Sequence, residues 1–517
     1  MMRSTADEST HRVLEWLLVT LIFLLFAAQI PPEVNEPNYL AKARHYWDPD
    51  WCPNDFFLNS ADAHAPFYFA FGWPLLYFSM NDFAWIGRIL ASGLLAFGWM
   101  RLTSSLTERS GVAMIGAAMM LGLNTFFQTT GEWVAGGFEG KGIAYAFIFW
   151  ALGEIVQNRW NRAWILLGIA SIFHVVVGGW ACVAATVGWF LLGRHSDRPT
   201  LRSQIVAIAM GFAISCFGLV PGLQLRGQSS AEEATDAAQI QVFTRLPHHL
   251  NPTQFFFRTD FPFLSSVAIG FVGLCLVWVL MAHRQKHVTK LRRLDTFTAG
   301  TLTIAAIGLC ISLATQQRPL LAARLLQFYW FRLADVMVPA AVALAAATHL
   351  SREGILQRPT VRIAILLGTI CILMSPINKL YRAGGVPPAD RKFTSSPKQF
   401  NDWRSVCRAA REVSSPEAIF LTPKYAHTFK WYADRGEVGN WKEMPQDAAS
   451  ILEWHDRLGK LHLWGPLGVV PLSERSVDDL QMLGKAYGAD FVLTRSTPPL
   501  ALPLLYRNDS FALYRLF

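Results

Sequence analysis

LLVTLIFLLFAAQI, Leu17 to Ile30, followed at once by PPEVNEPNYLAKARHYWDPDWCPNDFF, Pro31 to Phe57, is the stretch on which the fold turns. The apolar run extends back to Val13, which is long for the hydrophobic region of a signal peptide, and it lacks an A-x-A exit. It reads as an uncleaved membrane anchor with Arg3 and Arg12 before it and a loop rich in acids and aromatics after it.

Outward from that anchor the pattern repeats. The chain has 517 residues, 52% hydrophobic and only 16% charged, more apolar material than a soluble protein of this size exposes. A span needs roughly 20 apolar residues, and about eleven such stretches follow one another: 13–30, 84–103, 111–129, 142–157, 163–178, 179–193, 204–222, 262–282, 295–314, 325–349 and 361–378. Stretches 163–178 and 179–193 are short and meet at Gly178 and Gly179 without a polar loop, so a hairpin that dips partly into the bilayer is expected there.

Charge assigns the sides. The chain start, RLTSSLTER, NRWNR, GRHSDRPTLR, HRQKHVTKLRR and SREGILQRPTVR carry Lys and Arg at several times the density of the alternate loops, which places them in the cytoplasm. The net charge of +9 is thereby a topological signal, and nucleic acid is not an expected partner. The expected architecture is a polytopic α-helical membrane domain over 1–379, with a long first extracytoplasmic loop at 31–83, and a soluble extracytoplasmic domain over 380–517. In the latter, helices near 400–413, 446–459 and 476–487 alternate with strands at AIFLTP, ADFVLTR, PLLYR and FALYRL, an α/β layer pattern. The seven cysteines form no CxxC motif; Cys52 and Cys407 share the exterior, as two free thiols or a disulfide.

The polar residues worth chemistry fall on that outer face. Glu36 follows the first span and opens a short helix, as a general base facing a groove or as a helix N-terminal charge. Asp55 stands where the loop returns toward the membrane, whereas Asp48 and Asp50 suit turns. Asp62 and His64 in SADAH offer oxygen and imidazole to a divalent metal, without a recognisable ligand spacing. GGFEGKG pairs Glu139 with Lys141 in a glycine-rich turn at a helix start, a place for a phosphate or simply for a surface ion pair. His174 lies in an outer half-span, and Arg332 sits at a span end, suited to phosphate or spaced to neutralise Asp335. Arg245, His248 and His249 gather in TRLPHHLNP, with one histidine expected to reach a shared site.

Together these residues resemble the GT-C superfamily, membrane glycosyltransferases that take sugars from polyprenyl-phosphate carriers. The narrower likeness, carried by NEPNYLAKARHYWDPDWCPNDFF, RLPHHLNP, FYWFRLADVMVP and LTPKYAHTFKWYADRGEVGNWKEMPQDA, is to a bacterial, planctomycete-type group of GT-C-like proteins. The resemblance implies inverting transfer of a hexosyl or pentosyl unit to a glycan, lipid or protein acceptor of the cell envelope, at the outer face of a bacterial inner membrane. It implies Glu36 or Asp55 as base and Lys141, Arg332, Arg245, His248, His249 and His174 as substrate-binding residues. GT-C first loops often carry an Asp-Glu pair, and here Asn35 takes the place of the Asp. That departure keeps two other classes open: a non-catalytic scaffold that binds a lipid phosphate or glycan, and a transporter of lipid-linked saccharide.

Overall fold

The computed structural model describes residues 5–193, 198–227, 229–257, 263–352, 355, 358–465 and 468–517; parts of the basic loops GRHSDRPTLR and SREGILQRPTVR and the first residue of stretch 262–282 lie outside them. Its helices are α1 (Thr5–Phe26), α2 (Glu36–Trp47), α3 (Ala65–Phe71), α4 (Met80–Leu106), α5 (Val112–Phe127), α6 (Gly140–Val156), α7 (Trp160–Phe173), α8 (Val175–Leu191), α9 (Leu201–Gly227), α10 (Ala231–Gln239), α11 (Pro247–Leu250), α12 (Pro252–Phe256), α13 (Ser266–Arg284), α14 (Thr289–Ala314), α15 (Pro319–Leu326), α16 (Arg332–Arg352) and α17 (Pro359–Arg382). Each of the eleven apolar stretches carries a helix, and among the described residues six helices are long and apolar enough to cross a membrane: α4, α9, α13, α14, α16 and α17. The chain is an integral membrane protein.

Lipid gives helices little hydrophobic reason to associate, so close packing holds them. A Cβ on Gly98 in α4 would strike the Ala146 carbonyl of α6, and α7 crosses α9 as closely where Gly168 meets Gly211. α16 is the most enclosed of the six, packed against α5, α13 and α14. The expected hairpin breaks at His174 instead of Gly178–Gly179. His174 is extended (φ −152°, ψ 96°), its Nδ1 accepts from the Val177 N–H 3.3 Å away, and α8 runs through both glycines. Gly178 serves packing, since a Cβ there would lie 2.5 Å from the Ser171 backbone.

The C-terminal domain adds α18 (Pro397–Val413), α19 (Phe429–Ala433), α20 (Ala448–Leu461) and α21 (Val477–Tyr487) around a five-stranded sheet. With strands β1 (Ile419–Leu421), β2 (Gly436–Glu437), β3 (Trp464–Gly465), β4 (Gly468–Val469), β5 (Phe491–Arg495), β6 (Leu504–Arg507) and β7 (Phe511–Arg515), the order is β2-β1-β5-β7-β6. β1 runs parallel to β2 and β5, and β7 antiparallel to β5 and β6. Trp403, Phe420, Phe429 and Phe511 fill one face of the sheet, and Val438, Leu480, Val492 and Tyr514 fill the other.

This domain is joined closely to the first loop. Asp434 Oδ1 accepts from Arg44 Nη1 at 3.0 Å and Trp51 Nε1 at 2.9 Å, and Trp431 Nε1 donates to Asn81 Oδ1 at 2.9 Å. Segments 31–79, 128–139, 240–257 and 327–332 meet at the same end of the bundle, and the candidate site lies among them.

Candidate functional site

The two acids read from the sequence as bases are both fully buried and fully engaged. Glu36 takes Arg88 Nε at 2.7 Å and the Phe138 N–H at 2.8 Å on Oε1, and Arg88 Nη2 at 2.6 Å and the Glu33 N–H at 2.7 Å on Oε2. Arg88 is a charge inside a membrane helix and needs a buried partner; Glu36 is that partner. The pair fastens α4, the first loop and the 131–139 turn together.

Asp55 lies elsewhere, in a buried joint with the C-terminal domain. Its Oδ1 accepts from the Leu58 N–H at 2.9 Å, and its Oδ2 accepts from the Glu437 N–H and Lys430 Nζ at 3.0 Å. Lys430 also contacts Glu437 at 2.9 Å and Glu443. One cation faces three carboxylates, and burial, helped by Glu437 and Asp55 and opposed by Lys430, pushes Glu443 up to about 8.

The remaining predicted residues converge more. Arg332, opening α16, places Nε 3.1 Å from Glu132 Oε2 and Nη1 3.3 Å from His174 Nε2, with its guanidinium 3.7 Å over the Tyr329 ring. A neutral imidazole has one acceptor nitrogen, and His174 faces two donors, Arg332 and the Val177 N–H. One donor is therefore always available to another acceptor. Lys141 lies 3.6 Å from Glu132, 3.5 Å from Glu139 and 3.7 Å over the Trp133 ring. Glu139 accepts from Trp133 Nε1 and Asn35 Nδ2, both at 3.1 Å. The expected Arg332–Asp335 neutralisation does not occur: Asp335 instead accepts from the N–H and Oγ1 of both Thr129 and Thr130, at 2.7–2.9 Å.

Asn35 is the bridge to the C-terminal domain. Its Oδ1 accepts from Lys442 Nζ at 2.9 Å while its Nδ2 holds Glu139. Arg245 donates through Nε to the Trp441 carbonyl at 2.9 Å, which secures the segment bearing Lys442. His249 meets the Thr130 carbonyl through Nδ1, whereas His248 is exposed and lies tilted by 44° against it, ring centroids 4.0 Å apart. Burial, then His248, pushes His249 down to about 3, so it is neutral. Asp62 is held by Lys42 at 3.0 Å, and His64 Nε2 lies 3.2 Å from Tyr39 Oη. Among the described residues no three His, Cys, Asp or Glu side chains converge as metal ligands.

Three residues central to this arrangement were not singled out from the sequence: Glu33, Glu132 and Lys442. Glu33 is half-buried and, among the described residues, its carboxylate receives only the Asn35 N–H, at 3.3 Å. Gly137 presses against it and Glu36, with no room for a Cβ. Burial first, then Glu139 and Glu36, raise its carboxyl to about 7. Lys442 is lowered to about 8 by burial and then by Arg245. An acid in PPEVNEP gives no spacing signal, but Arg88 within an apolar stretch does announce a buried carboxylate, and Glu36 is near in sequence.

No curated protein matches the chain. Residues 401–461, which hold Lys430, Glu437, Lys442 and Glu443, match the model of a domain of unknown function, DUF6798. In structure the chain is similar to ArnT from Cupriavidus metallidurans bound to undecaprenyl phosphate: 13% identity, 100% of this chain and 99% of that one, TM-score 0.55. The archaeal oligosaccharyltransferase AglB from Archaeoglobus fulgidus, in complex with an inhibitory peptide and a dolichol-phosphate, gives 13% identity over 95% of this chain and 70% of that one, with a TM-score of 0.49. The fold is GT-C-like, that of a class of membrane glycosyltransferases.

Proposed function

We propose that the protein transfers a sugar from a polyprenyl-phosphate carrier to an envelope acceptor, at the face of the membrane that bears the C-terminal domain. The observation that carries this reading is a linked network on a GT-C-like fold: Glu132 joins Lys141 to Arg332, Glu139 joins Lys141 to Asn35, and Asn35 joins Lys442 of the C-terminal domain and lies beside Glu33.

In this reading the phosphate is held by Arg332 and Lys141, displacing Glu132, and Lys442 approaches from the other side. Glu33 is the base in place of Glu36 and Asp55, because among the described residues it carries no ion pair and its proton affinity lies near neutrality. It takes the proton of the acceptor hydroxyl; the oxygen attacks the anomeric carbon as the bond to the phosphate oxygen breaks, so polyprenyl phosphate leaves and the centre inverts. The cations stabilise the charge that grows on the leaving phosphate. Residence in a bacterial inner membrane and a divalent metal as helper remain part of the proposal.

The test supplies polyprenyl-phosphate hexose and pentose in nanodiscs and follows release of polyprenyl phosphate. Wild type is expected to release it and Glu33→Gln to lose release, with the fold unchanged. Binding of the carrier without release by wild type, with any acceptor, would favour the scaffold reading, which the engagement of Glu36 and Asp55 already makes concrete.

A further inference from the structure

A second space is built where the first loop meets the C-terminal domain, remote in sequence and partners from Lys141 and Arg332. It is a cavity of about 280 Å³, bounded on one side by the Asn54–Ser60 turn and on the other by Ser450 and Arg457 of α20 and Tyr487 of α21. That lies just below the usual range of ligand cavities, about 300 to 1,000 Å³, and suits a ligand of one small ring.

Its walls are prepared for neutral polar groups. The Arg457 guanidinium lies 4.0 Å over the Phe56 ring and 4.9 Å from the Tyr487 ring, and is held in plane by Glu453 Oε1 (2.9 and 2.8 Å) and the Val438 carbonyl (3.3 Å). Two aromatic rings thus edge the cavity around one fixed donor plane. Asn54 and Asn59 have their amide nitrogens committed, to the Glu417 carbonyl at 2.9 Å and to the Pro53 and Asp55 carbonyls at 2.7 and 2.8 Å. Each carboxamide is thereby oriented, and no described residue donates to either Oδ1 or bonds the Ser450 hydroxyl. Acceptors, a hydroxyl and flat apolar faces in one small space match a ring that carries both C–H faces and hydroxyls.

Charge narrows the ligand class. Glu453 offsets Arg457, and behind the cavity Asp55 and Glu437 outnumber Lys430 without counting Glu443, which holds its proton near neutral pH. No surplus positive charge faces the space, so phosphate, sulfate or a carboxylated sugar is disfavoured there.

We propose that this cavity binds a neutral saccharide unit. As a saccharide site it stands on its own geometry; as the docking place of a glycan acceptor it rests on the transfer reading above. The experiment is saturation-transfer NMR on the full protein in nanodiscs, avoiding maltoside detergents, with methyl glucoside, methyl galactoside, methyl mannoside and N-acetylglucosamine as probes and glucuronate as the anionic comparison. Transfer to at least one neutral sugar is expected. It should be lost in Ser450→Leu, which fills the space from α20, and in Asn54→Ala, and be retained in Asp509→Asn, on an exposed pair of the same domain. Transfer to glucuronate alone, to no probe, or to a neutral sugar undiminished in both cavity variants overturns the proposal. None of these outcomes depends on sugar transfer or on lipid binding, so failure here leaves the transfer reading standing and failure of that reading leaves this one standing.

Discussion

Replacing Glu36 by Gln separates a base from a structural anchor. Glu36 and Arg88 are both fully buried, and two charged bonds of 2.7 and 2.6 Å join them. Removing one partner of such a pair leaves an uncompensated buried charge, at about 3–5 kcal/mol. Gln also turns a donor toward either the Glu33 or the Phe138 N–H, and an unmet backbone donor costs about 1–3 kcal/mol. The double variant Glu36→Leu/Arg88→Leu removes both charges but orphans the Glu33 and Phe138 N–H groups, so it recovers part of the loss and not all. Thermal unfolding in mild detergent, followed by tryptophan fluorescence at one heating rate, should rank wild type first, the double variant next and Glu36→Gln and Arg88→Met last. An equally stable Glu36→Gln protein that had lost transferase activity would refute the reasoning and return the base to Glu36.

Glu33 predicts the opposite behaviour. Its carboxyl binds a proton more tightly in the folded protein (about 7) than at its ordinary 4.5, so its stabilising contribution is complete below pH about 4.5 and lost as pH rises through 7. Glu33→Gln should flatten that part of a stability–pH profile without lowering stability at pH 8, and wild-type sugar transfer should rise through pH about 7 and fall above about 8 as Lys442 gives up its proton. Asp335→Ala frees the backbone donors of Thr129 and Thr130, at about 1–3 kcal/mol each, and should lower the melting midpoint measurably. Cys52 and Cys407 are buried free thiols, and burial holds both thiols well above their ordinary range. Maleimide should label neither until the protein unfolds, and mobility on a gel should not depend on reductant.

Much of the architecture is written locally and was legible. A run such as Leu17–Ile30 needs no partner to be recognised, and short strands such as ADFVLTR and FALYRL announce themselves by composition. The site depends on pairings made at a distance. Asp55 and Lys430 are neighbours only because the C-terminal domain folds back on the first loop, and Asn35 becomes a bridge because Lys442 and Glu139 arrive from opposite sides. Sequence reasoning picked out Glu36 by its place at a helix start and passed over Glu33, while the deciding quantity, which acid has a buried cation, is settled by Arg88 in α4. The break was misplaced in the same way: Gly178–Gly179 has the composition of a break, yet α8 runs through both, Gly178 packs tightly on Ser171 and the His174 imidazole makes the cap.

The central claim is that Lys141, Arg332 and Lys442 hold the phosphate of a lipid carrier. Native mass spectrometry of protein purified in mild detergent tests it most directly, comparing wild type with Arg332→Ala and Lys442→Gln. A polyprenyl phosphate or its sugar ester bound to wild type and lost from Arg332→Ala, with ordinary phospholipids retained by both, is the predicted result. A wild-type protein that keeps phospholipids but carries no polyprenyl phosphate, even after the lipid is added back, would contradict the account.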